Sequence, residues 1–110
     1  MERLTVIGID PGKSGGIVAI TGKDGGHCIN VSSMPATPTA LDFLFLELGM
    51  PKMQWDLKYK IYIEDVHSMP SDGSKAAFTF GRGLGHIEGV LASMGFYERS
   101  DAYFRVRPRV

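Results

Sequence analysis

Apolar stretches along the chain alternate with short segments rich in glycine, proline and serine. Where β-branched residues dominate, the pattern predicts a strand, and where apolar residues recur every three or four positions it predicts a helix. The predicted strands are 4–10, 17–21, 27–33, 60–66 and 103–107, and the predicted helices are 40–48 and 74–94. This order, β-β-β-α-β-α-β, predicts an α/β fold with a mixed five-stranded sheet, in which an antiparallel meander precedes strands joined through helices.

The two predicted helices differ in their surfaces. The first follows Pro38 and Thr39, stops at Gly49 and is apolar on most sides, so we expect a threonine cap and good coverage. In the second, Gly81, Gly85 and Gly89 lie four residues apart, on one face of the helix. Each glycine costs about 1 kcal/mol relative to alanine in a helix. We therefore expect this face to pack closely against the sheet or against a second copy of the chain.

Composition bounds the class of protein. With 110 residues, 44% of them hydrophobic, the chain is expected to form one domain, 1–110. Its formal net charge of zero excludes a strongly basic coat for nucleic acid, although a local basic patch is compatible with it. A single cysteine, Cys28, is expected to be a buried strand residue in a reducing compartment. No apolar run is long enough for a membrane span and the N-terminus lacks signal-peptide features, so we expect a cytoplasmic protein.

Two acidic residues end predicted strands. Asp10 ends the first strand and precedes a glycine-rich turn, whose amides could contact a phosphate, and Glu64 lies at the end of the fourth strand. If these strands are neighbours, both carboxylates reach one cleft, where they would bind a hard cation such as Mg²⁺ or Mn²⁺. The alternatives are a turn-forming aspartate that bonds its own backbone and a solvated strand end at Glu64.

Two motifs resemble those of RuvC-like Holliday-junction resolvases, most closely the phage or phage-derived type. The first is IGIDPG at 7–12 followed by GGIVA at 15–19. The second is IEDV at 63–66, followed by KAAFTFG at 75–81 and GHIEG at 85–89. The resemblance implies a ribonuclease H-like fold, in which Asp10 and Glu64 bind divalent metal and catalyse phosphodiester hydrolysis in branched DNA.

The chain departs from the family at its C-terminal end. The family completes its site with one or two further acids on a helix after the fifth strand, and here the sequence ends at Arg109 and Val110. We therefore expect a C-terminally incomplete nuclease domain, with little or no catalysis by this chain alone.

Basic and loop residues are candidates for DNA binding. Alternation along the last strand places Arg105, Arg107 and Arg109 on one face, as a phosphate-binding stripe or as a solvated strand face. The remaining candidates are Lys13 in the glycine-rich turn, Lys75 and Arg82 in the second helix, and His67 and Met69 in the loop after Glu64. The resemblance implies that side chains of this loop insert at the junction, although a plain surface loop is the simpler interpretation.

As to partners, the resemblance implies a homodimer, which suits a two-fold-symmetric junction. One alternative is a nucleotide-binding domain of the actin and sugar-kinase group, against which the short length argues. Others are a related nuclease linked to ribosomal RNA processing and a non-catalytic module that binds branched DNA.

Overall fold

The computed structural model describes residues 4–12, 14–23, 26–48, 58–66, 73–96 and 102–107. The elements are strands β1 (Leu4–Asp10), β2 (Gly16–Lys23), β3 (Gly26–Ser33), β4 (Lys58–Glu64) and β5 (Tyr103–Val106), and helices α1 (Pro38–Glu47) and α2 (Gly73–Ser93). All seven predicted elements are present in the predicted order, with ends that differ by at most two residues.

The five strands form one mixed sheet in the order β3-β2-β1-β4-β5. β1, β2 and β3 pair antiparallel, whereas β4 pairs parallel with both β1 and β5. The predicted fold class is therefore confirmed, and β1 and β4 are neighbours. In their register Ile9 lies opposite Ile63, so Asp10 and Glu64 occupy the next position on each strand.

Both helices pack on one face of the sheet, which we term the covered face. Because side chains alternate along a strand, Ile7 and Ile9 of β1 point to this face together with Ile61 and Ile63 of β4. Their buried partners in the core are Ile17, Ala19, Leu41, Phe45, Ile87, Leu91, Met94 and Tyr103. The core thus fixes β1 and β4 from one side, and leaves their other face open.

Helix α1 begins two residues earlier than the sequence indicates. Thr37, with extended backbone (φ −132°, ψ 157°), is the N-cap, and its Oγ1 accepts a hydrogen bond of 3.1 Å from the amide of Ala40. Pro38 then takes the first helical position, where its missing N–H costs nothing. A cap at Thr39 was therefore the wrong prediction, because Pro38 starts the helix and does not precede it.

The coverage expected for α1 is also only partial. Leu41 and Phe45 are buried, but Phe43 and Leu46 on the opposite side are exposed. A helix in a two-layer arrangement has one side against the sheet, so its remaining apolar residues face outward. The expectation that α1 is well covered is wrong for that outer side.

Helix α2 presents its glycines away from the sheet. Ile87 and Leu91 enter the core, whereas a Cβ added at Gly81, Gly85 or Gly89 would meet no heavy atom within 4 Å. Close packing of this glycine face on the sheet is therefore a wrong prediction, because the apolar stripe occupies that side of the helix.

Cys28, which was expected to be buried, is exposed. It lies on β3, an edge strand of the sheet whose residues are incompletely covered on both sides. Among the residues described above, no helix is long and apolar enough to span a bilayer.

Candidate metal and nucleic-acid site

Asp10 and Glu64 lie side by side on the face of the sheet opposite the helices, which we term the open face. Because side chains alternate along a strand, Asp10 lies on the same face as Gly8, and Glu64 on the same face as Tyr62. Both acids therefore point away from the buried isoleucines. Neighbouring strands are about 4.8 Å apart. The strand order and register therefore place two carboxylates next to each other at the carboxyl end of the sheet.

A cleft of about 600 Å³ on the open face contains both acids. Gly8, Val18 and Tyr62 line its apolar floor, and Ser14 and Gly15 of the glycine-rich turn also line it. Asp10 is exposed and Glu64 is half-buried, so both carboxylates are accessible from solvent. The arrangement offers oxygen ligands at one end of a mainly apolar surface.

The glycine-rich turn folds back on the end of β1. The amide of Gly12 donates to Asp10 Oδ1 at 3.4 Å, and the amide of Gly15 donates to the carbonyl of Gly12 at 2.9 Å. A Cβ on Gly15 would lie 2.0 Å from the carbonyl oxygen of Asp10, so only glycine fits there. Two amides expected to be open to a phosphate are thus engaged within the turn.

The turn-forming interpretation of Asp10 is confirmed by its bond to Gly12, and its role as a metal ligand stays a prediction. The long bond from Gly12 involves Oδ1, and among the described residues no hydrogen bond to Oδ2 is formed. At 3.4 Å and exposed to solvent, this bond orients the carboxylate only weakly, so the carboxylate stays accessible to a metal ion.

The donor set fits a hard divalent cation only in part. Mg²⁺ binds carboxylates and retains several waters, which the pair of Asp10 and Glu64 with an open, solvated front allows. However, the described residues contain no group of three or more histidine, cysteine, aspartate or glutamate side chains that could hold a metal. The pair is therefore a partial site, with weaker binding expected than for a complete one.

The basic candidates on α2 lie outside the cleft. Lys75 and Arg82 are both exposed. Glu88 of α2 meets Arg105 of β5, and at about 1.5 Å per residue Arg82 lies about 9 Å and Lys75 about 20 Å before Glu88 along the helix axis. Arg82 is therefore the nearer of the two to the edge that carries the acids. Lys13, His67 and Met69 lie outside the described residues.

The two described arginines of the last strand have different surroundings. Arg105 pairs with Glu88 of α2 at 2.7 Å and lies 3.8 Å from Asp65, with its side chain 33% exposed. Arg107 lies 3.9 Å from Asp65 and its side chain is 91% exposed. Both approach the same carboxylate, which agrees with the single face expected from alternation, but only Arg107 extends into solvent.

The sequence did not predict the stacked pair of aromatic rings beside Glu64. Tyr62 and Phe104 stack with ring centroids 4.9 Å apart and an angle of 18° between the rings. The two residues are register partners on β4 and β5, both directed to the open face. Alternation along each strand gives their faces, but nothing in the sequence gives the register that places the rings together.

The element order and strand order define an α/β protein with a ribonuclease H-like fold. The chain is similar to a solved structure of RuvC from T. thermophilus in complex with Holliday junction substrate, with a TM-score of 0.59 and 16% identity. A second structure, of Thermus thermophilus RuvC, gives a TM-score of 0.50 and 18% identity.

The similarities cover almost all of this chain but less than two thirds of each RuvC chain. Each covers 94% of this chain, but only 63% and 64% of the two RuvC chains. No protein-family model matches the chain, and no curated protein matches it significantly. At this identity the comparisons establish the fold alone.

Proposed function

We propose that this chain is the core of a divalent-metal-dependent endonuclease that acts on Holliday junctions or other branched DNA. The observation that carries the proposal is the placement of Asp10 and Glu64 on adjacent parallel strands, at one end of an accessible cleft. The fold shared with a RuvC that was solved with junction DNA supports this substrate class. The narrower resemblance to the phage type rests on the sequence motifs and stays a prediction.

In this proposal the two acids hold the metal. Bound divalent ions would supply an activated water and would stabilise the leaving 3′ oxygen of the phosphodiester. The backbone of Asp10 is placed by the pairing of β1 with β2 and β4, and that of Glu64 by the pairing of β4 with both β1 and β5. The chain contributes rigid placement of charge, because both strands are anchored by the core on their covered face.

Efficient cleavage is proposed to require a further acid. Two carboxylates alone leave most of the coordination sphere to water. Around the cleft the open face carries exposed apolar side chains, Ile20, Ile29, Val31 and Val106, and the described residues supply no third acid there. We therefore expect weak metal binding and little cleavage by the 110 residues alone.

DNA contacts are assigned around the same end of the sheet. Arg107 is proposed to contact phosphate because its side chain is almost fully exposed. Lys75 and Arg82 extend this surface along α2, and Lys13, His67 and Met69 are retained as candidates from the sequence. Arg105 is the candidate that fits least well, because two acids already surround it.

A homodimer is proposed through the glycine face of α2. Gly81, Gly85 and Gly89 have no heavy atom near their Cβ positions, and Phe78 on the same side is 69% exposed. Contact with a second α2 would bury this aromatic side chain and would offset the cost of the glycines. Replacing Gly85 by leucine should convert a dimer to a monomer, measured as molar mass by light scattering.

The second candidate function is branched-DNA binding without catalysis. It is favoured by the finding that the described residues bring only two acids to the cleft. It predicts the same preference for branched DNA and the absence of metal-dependent cleavage. The nucleotide-binding alternative is weakened, since the amides of Gly12 and Gly15 are engaged within the turn.

A competition experiment tests the proposed substrate class. A labelled four-way junction is titrated with the protein in the presence of Ca²⁺, with unlabelled linear duplex of equal length as competitor. We expect tighter binding of the junction than of the duplex at the same salt concentration. Equal affinity for the two DNAs would refute the junction assignment.

A further inference from the structure

A cluster of ion pairs lies directly behind Glu64, on the covered side of the sheet. Arg105 Nη2 contacts Glu88 Oε2 at 2.7 Å, and Arg105 Nη1 lies 3.8 Å from Asp65 Oδ1. We term Asp65, Glu88 and Arg105 the Arg105 bridge. It links the residue after β4, the C-terminal half of α2 and strand β5 through a single guanidinium group.

The bridge holds the backbone on which Glu64 sits. Glu64 is the last residue of β4, and Asp65 follows it directly. Alternation sends the two side chains to opposite sides, so Glu64 reaches the cleft while Asp65 turns towards Arg105. The amide of Asp65 also donates to the carbonyl of Val106 at 2.7 Å, which extends the pairing of β4 with β5 past the strand end.

The geometry of the bridge suits a positioning role better than a phosphate contact. Asp65 is 20% exposed and the Arg105 side chain is 33% exposed, so the pairs are partly shielded from solvent. A guanidinium presents several donors in a fixed planar fork, which allows it to hold two carboxylates at once. Using Arg105 on a DNA phosphate would require breaking its 2.7 Å contact with Glu88.

We propose that Arg105 is a positioning residue for Glu64, and that it is not one of the residues that bind DNA phosphate. This inference rests on the proposed metal site at Asp10 and Glu64. The bridge fixes the end of β4 so that Glu64 is presented to the cleft, and it directs Asp65 away from the metal. Arg107, which follows β5, is then the arginine that meets phosphate; it lies 3.9 Å from Asp65 but, within the described part of the chain, has no contact with Glu88 to break, and its side chain is 91% exposed.

Metal affinity is the first test. Mn²⁺ binding is measured by titration calorimetry for the wild type, Arg105→Ala, Arg105→Lys and Glu88→Gln. Loss of a group that orients a metal ligand typically weakens affinity about 10–100-fold, and we expect Arg105→Ala to fall at the lower end. Arg105→Lys keeps the charge but loses the fork, so it should recover part of the loss. Wild-type affinity in Arg105→Ala would overturn the proposal.

The salt dependence of DNA binding separates the two arginines. A residue that contacts phosphate contributes about one unit to the slope of log affinity against log salt. Arg107→Ala should lower the slope by that amount, whereas Arg105→Ala should leave it unchanged. A slope lowered equally by both substitutions would overturn the proposal.

Hydrogen exchange tests the structural role of the Arg105 bridge without relying on the metal site. The amide of Asp65 should exchange faster in Arg105→Ala than in the wild type, while Glu64→Gln should leave its exchange unaltered. Unchanged exchange in Arg105→Ala would refute the positioning role. If the wild type binds no Mn²⁺ and Arg105→Ala still accelerates this exchange, the proposed function fails and the structural role of the bridge stands.

Discussion

The two faces of the sheet are built by the same strands but have opposite properties. On the covered face, Ile7 and Ile61 are fully buried under two helices. On the open face, the same strands present Gly8, Asp10 and Glu64 to a solvent-filled cleft. Strand alternation lets one face supply rigidity while the other carries the accessible acids. The charged end of the open face can therefore remain solvated without weakening the core.

The largest effect should come from truncating a side chain on the covered face. Phe45→Ala removes a fully buried ring of α1, and such substitutions typically cost about 3–5 kcal/mol. The matched control is Phe43→Ala on the same helix, where the ring is 60% exposed and a change below about 0.5 kcal/mol is expected. Urea unfolding measures both. Equal losses would show that α1 does not pack as described.

A smaller effect is expected at the turn that borders the open face. Gly15→Ala places a Cβ 2.0 Å from the carbonyl oxygen of Asp10, so the turn must shift. We expect a loss of about 1–3 kcal/mol in the free energy of unfolding, typical of overpacking. Gly8→Ala is the control, because nothing lies within 4 Å of that Cβ, and a gain of about 0.5–1 kcal/mol is expected. A loss at Gly8 equal to that at Gly15 would contradict this view of the cleft.

The smallest effects are expected at two glycines, Gly85 within α2 and Gly95 just after it. Gly95 has a φ of 93°, so Gly95→Ala should destabilise the protein by about 1–2 kcal/mol. Gly85 is helical and faces open space, so Gly85→Ala should stabilise the monomer by about 1 kcal/mol. Thermal unfolding at low protein concentration measures both changes. Destabilisation of the monomer by Gly85→Ala would mean that the glycine face is packed within one chain.

Local patterns were sufficient to predict the elements and the two acids. β-branched runs marked the strands, and the spacing of Ile87 and Leu91 marked the buried side of α2. The predicted topology permitted β1 and β4 to be neighbours but did not require it. The placement of Asp10 and Glu64 in one cleft was therefore conditional on the strand order, and their metal role stays a prediction.

Features that depend on neighbours in space were not accessible from the sequence. Cys28 was expected to be buried from its residue type, whereas its exposure follows from the edge position of β3. The bonds of Arg105 to Glu88 and Asp65 depend on how α2 crosses β5, which no local pattern encodes. The engaged amides of Gly12 and Gly15 depend on the path of the turn.

The central claim is that Asp10 and Glu64 form one metal site, and Mn²⁺ titration calorimetry of substituted proteins tests it most directly. Asp10→Asn and Glu64→Gln should each abolish measurable binding, and the double variant should lose no more than either single one. Glu47→Gln, an exposed substitution at the end of α1, should bind as the wild type does. Unchanged Mn²⁺ binding in both Asp10→Asn and Glu64→Gln would contradict the claim.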